Sequence, residues 1–366
     1  ERASPVLIIT PSLERAERWL AVLLRLGIPE SRLVRVPPAL TPIMEPTGVE
    51  REVLHERIRA MRALLRREPI CLIAPLSAAL QRTMPPTQFE AECLRLGTAA
   101  PNSDEPDMSD QSGRVIQIEP EGLVRRLLEA GYEYEEPVRL PGHFARRGGI
   151  VDVFPMGAGS PVRIEFFGDE IVSLRRFDPV SQRSISNLRT VLIPPAREVP
   201  MGNAPVAERV RAEWEARIAQ QPAELQPALH ENLEADLQPL AQGVPFDRLE
   251  IYLPWLVSAR ACLVDYLPSD ALLILEEPLQ LQIALERLQE EVQQSLDSRA
   301  SRGDIIPLQA GEYLEGFSQL HRHRTTLVLE SGASDLSDKS DRVIVAVGTR
   351  SLETTRGRLP DLWNSL

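Results

Sequence analysis

Residues 141–183 read PGHFARRGGIVDVFPMGAGSPVRIEFFGDEIVSLRRFDPVSQR. Strand-like runs alternate here with glycine turns. Gly149–Phe154 is the first run, closed by Pro155 and the flexible Met156-Gly157-Ala158-Gly159-Ser160. Val162–Phe167 is the second, and Glu170–Phe177 the third, with Gly168-Asp169 between them. Gly-Asp between two β-type runs predicts a two-residue hairpin, because glycine takes the positive φ that a tight turn needs. Side chains alternate across a strand. Val162, Ile164 and Phe166 therefore share a core-facing side, and Arg163, Glu165 and Phe167 share the wet side. An exposed Phe beside Arg is the usual anchor of a protein–protein contact. Packing of Phe167 under a neighbouring loop is the competing reading.

The charge of this region departs from that of the chain. From Arg139 to Arg197 there are nine arginines and five acids, in a protein of net charge -12. A local basic patch on an acidic chain suggests a docking surface for an acidic partner; a solvated face is the alternative.

The pattern GxFAxRGGIxDVFP…PVRIEFFGDEIxSLRxFDPxSQRS resembles the UvrA-binding module shared by the excision-repair protein UvrB and the bacterial transcription-repair coupling factors. The ending RRFDPVSQRS is closer to the coupling factors. The resemblance implies that Arg147, of the R-G-G segment, and Arg163, of the R-I-E-F-F strand, contact UvrA together with Phe167. Arginine's planar fork suits bidentate grip of a carboxylate, and Phe167 adds apolar area beside it. Truncating such an anchor costs on the order of 2–4 kcal/mol.

The chain has 366 residues, enough for two or three domains at ~100–200 residues each. Hydrophobic residues make up 43% and charged residues 26%, as expected of a globular protein. The three cysteines lie far apart without a C-x-x-C, which fits a reducing cytoplasm. No apolar run approaches a membrane span, so no membrane partner is expected. Glu1 is not an initiator methionine, and a piece of a longer protein is expected. Lys339 is the single lysine, in Leu336-Ser337-Asp338-Lys339-Ser340, where Asp replaces the glycine of G-x-x-x-x-G-K-[ST]. The chain therefore carries no P-loop.

Before the quoted stretch, the sequence alternates buried-type strands with amphipathic helices. Val6–Ile9 and Ile70–Ala74 read as strands. Helices follow Thr10-Pro11-Ser12, with Leu13, Ala16, Leu20 and Leu24 as stripe, and span Val49–Arg67, with Leu54, Ile58, Met61 and Leu65 as stripe. A short helix is read at Ser77–Gln81. That alternation predicts a parallel α/β sheet. Gly97–Gly113 is acidic and rich in Pro and Ser, a linker by composition. Pro120–Ala130 reads as a helix with Leu123, Leu127 and Leu128 inward. After Arg197, residues 205–240 read as helices broken at Pro222 and Pro227. Ala271–Leu275, Thr326–Leu329 and Val343–Val347 read as strands, Leu279–Leu296 as a helix, and Ser331–Ser340 as a loop.

The expected fold class is α/β: a degenerate helicase-like parallel-sheet domain without a P-loop, interrupted by a smaller, mostly antiparallel β (α+β) domain. The expected organisation is residues 1–113 as the first half of the α/β domain with an acidic loop at 97–113, residues 114–199 as the UvrA-binding domain, and residues 200–366 as the return. The resemblance further implies that the α/β copy does not hydrolyse ATP.

No catalytic set is expected. Glu276-Glu277 follows a strand where helicase-type domains place an Asp-Glu for Mg²⁺, but without a phosphate cradle these acids have no nucleotide to serve. His321-Arg322-His323 lacks further ligands at suitable spacing for a metal. Trp19, Trp214, Trp255 and Trp363 read as core or interface residues. No cofactor is expected in this piece; ATP and Mg²⁺ belong to the motor of the full-length family member.

By resemblance, the chain is the N-terminal, UvrB-like part of a coupling factor. Its partner is UvrA, with RNA polymerase and double-stranded DNA engaged by parts outside it, and its location is cytoplasmic. The docking face is expected to be masked in the full protein until the motor engages. A UvrB N-terminal fragment and a stand-alone UvrA-binding adaptor are the alternatives. Net charge -12 opposes direct DNA binding by this piece.

Overall fold

The computed structural model describes residues 4–45, 48–98, 118–322 and 325–329. Strands β1 (Val6–Thr10), β2 (Leu33–Arg35), β3 (Cys71–Pro75) and β4 (Leu94–Gly97) precede an inserted run of strands. That run is β5 (Glu133–Tyr134), β6 (His143–Arg147), β7 (Ile150–Val153), β8 (Val162–Phe167), β9 (Glu170–Phe177), β10 (Ser184–Leu188) and β11 (Thr190–Ile193). Strands β12 (Leu272–Glu276) and β13 (Thr326–Leu329) follow.

Both ends of the described chain contribute to one parallel sheet, in the order β13-β12-β1-β3-β2. β1 is its centre, paired in parallel with β12 on one side and β3 on the other. Its VLIIT sequence is buried at every position, as a strand covered on both faces requires. Ser12 caps the helix Leu13–Arg25, its Oγ accepting from the Arg15 amide at 3.3 Å. The helix buries Ala16 and Leu23 with Trp19 and Leu20 beside them, while Leu13 and Leu24 are exposed. The buried stripe is therefore Ala16, Trp19, Leu20 and Leu23, with Leu13 and Leu24, near the helix ends, outside it. The helix Arg51–Leu65 covers the opposite face with Leu54, Ile58 and Met61.

The inserted strands form a second sheet, β10-β9-β8-β7-β6-β5, antiparallel except for the β5–β6 pair. Val162 and Ile164 are buried and Phe166 is partly buried on its inner side. Gly168 takes φ +59° at the first position of the β8–β9 turn. The helix Pro120–Glu129 buries Leu123 and Leu127 against this sheet, but Leu128 is exposed. The inner side joins the same buried cluster as the parallel sheet, so the inserted strands share a core with their scaffold. β11 leaves the insertion to pair antiparallel with β4.

Two further helices, Ala204–Ile218 and Gln226–Gln242, pack with residues 249–257 and 292–314 in a separate core around Trp214, Tyr252 and Trp255. Trp214 stacks on Tyr252, ring centroids 4.9 Å apart. Pro222 lies in the break between these helices. Pro227 starts the second one rather than breaking it, since a first-turn proline gives up only an amide with no helical partner. Lys339, Trp363, the strand at Val343–Val347, the Ser331–Ser340 loop and most of the 97–113 linker lie outside the described residues.

Candidate functional site

Alternation along β6, β7 and β8 brings three charged side chains to the outer side of the second sheet. Asp152 on β7 is opposite Ala145 on β6 and Arg163 on β8. Arg147 ends β6 two residues further along the same side. Asp152 is only 3% exposed. Its Oδ1 accepts from Arg163 Nε at 2.7 Å, and its Oδ2 from Arg163 Nη2 at 2.8 Å and Arg147 Nη2 at 3.2 Å. The hydrogen bonds to Asp152 lift Arg163 above the ordinary guanidinium range. The Arg163 guanidinium also lies over the Phe177 ring, 4.8 Å from its centroid. The next pair across the sheet is Arg175 with Glu165, and Arg175 Nε donates to Ser173 Oγ at 2.8 Å.

Gly148 makes the turn into β7 with φ +60°, and Gly149 lets β8 approach closely beside it. A Cβ there would meet the Phe166 carbonyl oxygen at 3.0 Å, and the Phe166 amide donates to the Gly149 carbonyl at 2.8 Å. A side chain larger than hydrogen would push β8 away at the point where Phe167 follows.

Phe167 stands at the β8–β9 turn with 81% of its surface exposed. Among the described residues no loop covers it. A shift in register between Glu165 and Phe166 leaves Val172 of β9 without an opposite number, 54% exposed. Such a bulge turns the extra residue toward the side of its neighbour.

The arginines differ from the expectation of free forks. The Arg163 side chain is 18% exposed and bidentate on Asp152, whereas the Arg147 side chain is 53% exposed and shared between Asp152 and Glu136. The basic excess is likewise compensated in place. Arg146, Arg147, Arg163, Arg175 and Arg197 are all ion-paired, so at least five of the nine arginines are engaged within the fold. An acid is favoured at Asp152 because two arginines from neighbouring strands converge there. A lone Asp within the apolar run Ile150–Phe154 was the available signal.

The other candidate acids are occupied as well. Glu276 ends β12 facing Arg15, 3.5 Å away, with Trp19 as hydrogen-bond partner, and burial pushes its carboxyl up. Glu277 takes a left-handed φ of +52° before the helix Pro278–Ser301. Among the described residues, no three His, Cys, Asp or Glu side chains gather as a metal site. His323 is not among them. No described helix is long and apolar enough to cross a membrane.

A family model of the UvrB interaction domain matches residues 114–199. Those residues are similar to a UvrB interaction domain. The whole arginine–phenylalanine face falls inside it. Beyond the interaction domain, the chain is similar to transcription-repair-coupling factors. That of Bacillus subtilis (strain 168) is 32% identical over 311 residues, 84% of this chain and 25% of that protein. That of Myxococcus xanthus is 34% identical over 222 residues, 59% of this chain and 18% of that protein. That of Haemophilus influenzae is 27% identical over 292 residues, 80% of this chain and 23% of that protein. The chain thus spans about a quarter or less of the length of these relatives.

Proposed function

We propose that this chain is the UvrA-binding, N-terminal part of a transcription-repair-coupling factor. It recruits excision repair to lesions at which RNA polymerase has stalled, and it acts by binding rather than by catalysis. The ATP-driven motor on double-stranded DNA lies in the parts of such a protein outside this chain, and the polymerase is engaged there too. Arg147, Arg163 and Phe167 form the contact. The observation that carries the reading is the exposed Phe167 ring at the end of the strand that carries the ordered Arg163, within the residues that match a UvrB interaction domain. A large apolar side chain held in water on a sheet that also presents guanidinium groups has the composition of an interface anchor.

The N-terminal α/β sheet supports this role mechanically. The interaction domain is tied to its helix Arg51–Leu65 by Arg51 with Glu133 at 2.8 Å, by the Gly157 amide on His55 Nδ1 at 3.2 Å, and by Arg57 with Glu198. These ties give the docking face a fixed base. The test is co-elution: mixed with purified UvrA without nucleotide, the chain is expected to move into the UvrA peak on size exclusion. Two separate peaks at micromolar concentrations of both would defeat the reading.

A further inference from the structure

β7 lies between β6 and β8, and Asp152 is its one acid. From that position a single buried carboxylate holds an arginine from each neighbouring strand. The grip on Arg163 is bidentate and uses its Nε–Nη2 edge. The Phe177 ring supports one face of the same guanidinium. What remains to meet a partner is the Nη1 edge and the outward face. Arg147 gives Asp152 a single hydrogen bond from Nη2 and keeps more than half of its side chain in water. Glu165 and Arg175 next to the cluster satisfy each other, and Glu136 lies 3.6 Å from Arg147. The long arginine side chain of residue 163 therefore stands in one orientation before any partner arrives.

We propose that Asp152 is a positioning residue of the docking face. It fixes the direction in which Arg163 and Arg147 present their free donors to a carboxylate of the partner, and it does not itself touch that partner. This rests on the UvrA-docking reading above. Its energetic basis is preorganisation: an unrestrained arginine must give up rotamer freedom on binding, and a held one has already done so.

Charge and position make opposite predictions here, so the test has a sign. Asp152→Asn in the full chain adds one positive charge to the face. If the face worked by attraction alone, titration with purified UvrA would show tighter binding, more so at low salt. Positioning predicts about tenfold weaker binding at both low and high salt. In an Arg163→Ala background the same change should add less than about twofold, since the two residues act through one contact. Asp152→Glu keeps the charge but displaces the carboxylate by a methylene, and weaker binding is expected there too. Unchanged or tighter binding of Asp152→Asn, or wild-type binding of Asp152→Glu, overturns the proposal. Loss of binding only in step with a collapsed melting temperature assigns Asp152 to the fold alone and overturns it as well. If Arg163→Ala and Phe167→Ala both bind as wild type, the docking reading fails. If they weaken binding and Asp152→Asn does not, the positioning role alone fails.

Discussion

Glu198→Ala should be among the most damaging single changes in this chain. Glu198 follows β11, where the chain leaves the interaction domain, and is 5% exposed. Its carboxylate takes the Nε and Nη2 of Arg57, the second contact at 2.9 Å, and Arg57 is 1% exposed. Arg57 Nη1 donates to the carbonyls of Pro37 at 2.9 Å and Ala78 at 3.2 Å. Removing the carboxylate leaves a guanidinium in the core with two neutral acceptors and no counter-charge. Breaking one side of a buried pair costs about 3–5 kcal/mol. With a urea slope of roughly 1–3 kcal/mol per molar, the unfolding midpoint should fall by at least about 1 M. Arg57→Met combined with Glu198→Leu removes both charges and strands only the two carbonyls. It should recover much of the loss, leaving a residual of roughly 1–2 kcal/mol. Urea titrations followed by tryptophan fluorescence and far-ultraviolet circular dichroism measure both. A loss under about 1 kcal/mol for the single variant, or a double variant no better than the single, would refute a desolvated ion pair here.

Two further outcomes follow from the same junction. Gly157→Ala would place a Cβ 2.7 Å from the Cα of Arg59 in a helix backbone that cannot yield, at a residue with φ +68°. A loss of about 2–4 kcal/mol and faster proteolysis between the interaction domain and its scaffold are expected, and a wild-type melting curve would contradict this. Glu250 is buried, which pushes its carboxyl up to about 7 against the pull of Arg197. Between the unfolded value near ~4.3 and 7, the folded chain holds a proton that the unfolded chain lacks, so this contribution is full at low pH and lost as pH rises through 7. Glu250→Gln should therefore gain stability relative to wild type between pH 5 and pH 8, by about 2–3 kcal/mol, in urea midpoints at the two pH values. A difference independent of pH would count against the burial of that charge.

The fold was legible where local chemistry decides it. The Gly168-Asp169 turn, the alternation of β8 and the unbroken apolar run of β1 each carry their structure in a few adjacent residues. The same alternation put Arg163 and Phe167 on the wet side. What sequence left hidden depends on residues brought together from far apart. β4 meets β11 across the whole insertion, and Asp152 meets two arginines only because three strands align. Hence the arginine forks looked free when they were engaged. Leu13, Leu24 and Leu128 fit a helical stripe by spacing but are exposed, close to the ends of their helices. Trp214 and Trp255 were legible as core or interface residues, but that they share one core with Tyr252 was not, because helices rich in Ala, Glu and Gln declare a face only once Tyr252 and Trp255 fold back onto it.

The affinity of purified UvrA for this chain, measured for wild type, Phe167→Ala and Arg163→Ala by calorimetry, tests the central claim most directly. An exposed ring and a held guanidinium acting as anchors should each be worth about 2–4 kcal/mol, so each variant should bind about thirtyfold more weakly or worse; Phe167→Ala should melt like wild type, whereas Arg163→Ala takes the bidentate partner from buried Asp152 and is compared well below its own lowered melting temperature. Affinities within about twofold of wild type for both would show that this face is not where the partner docks.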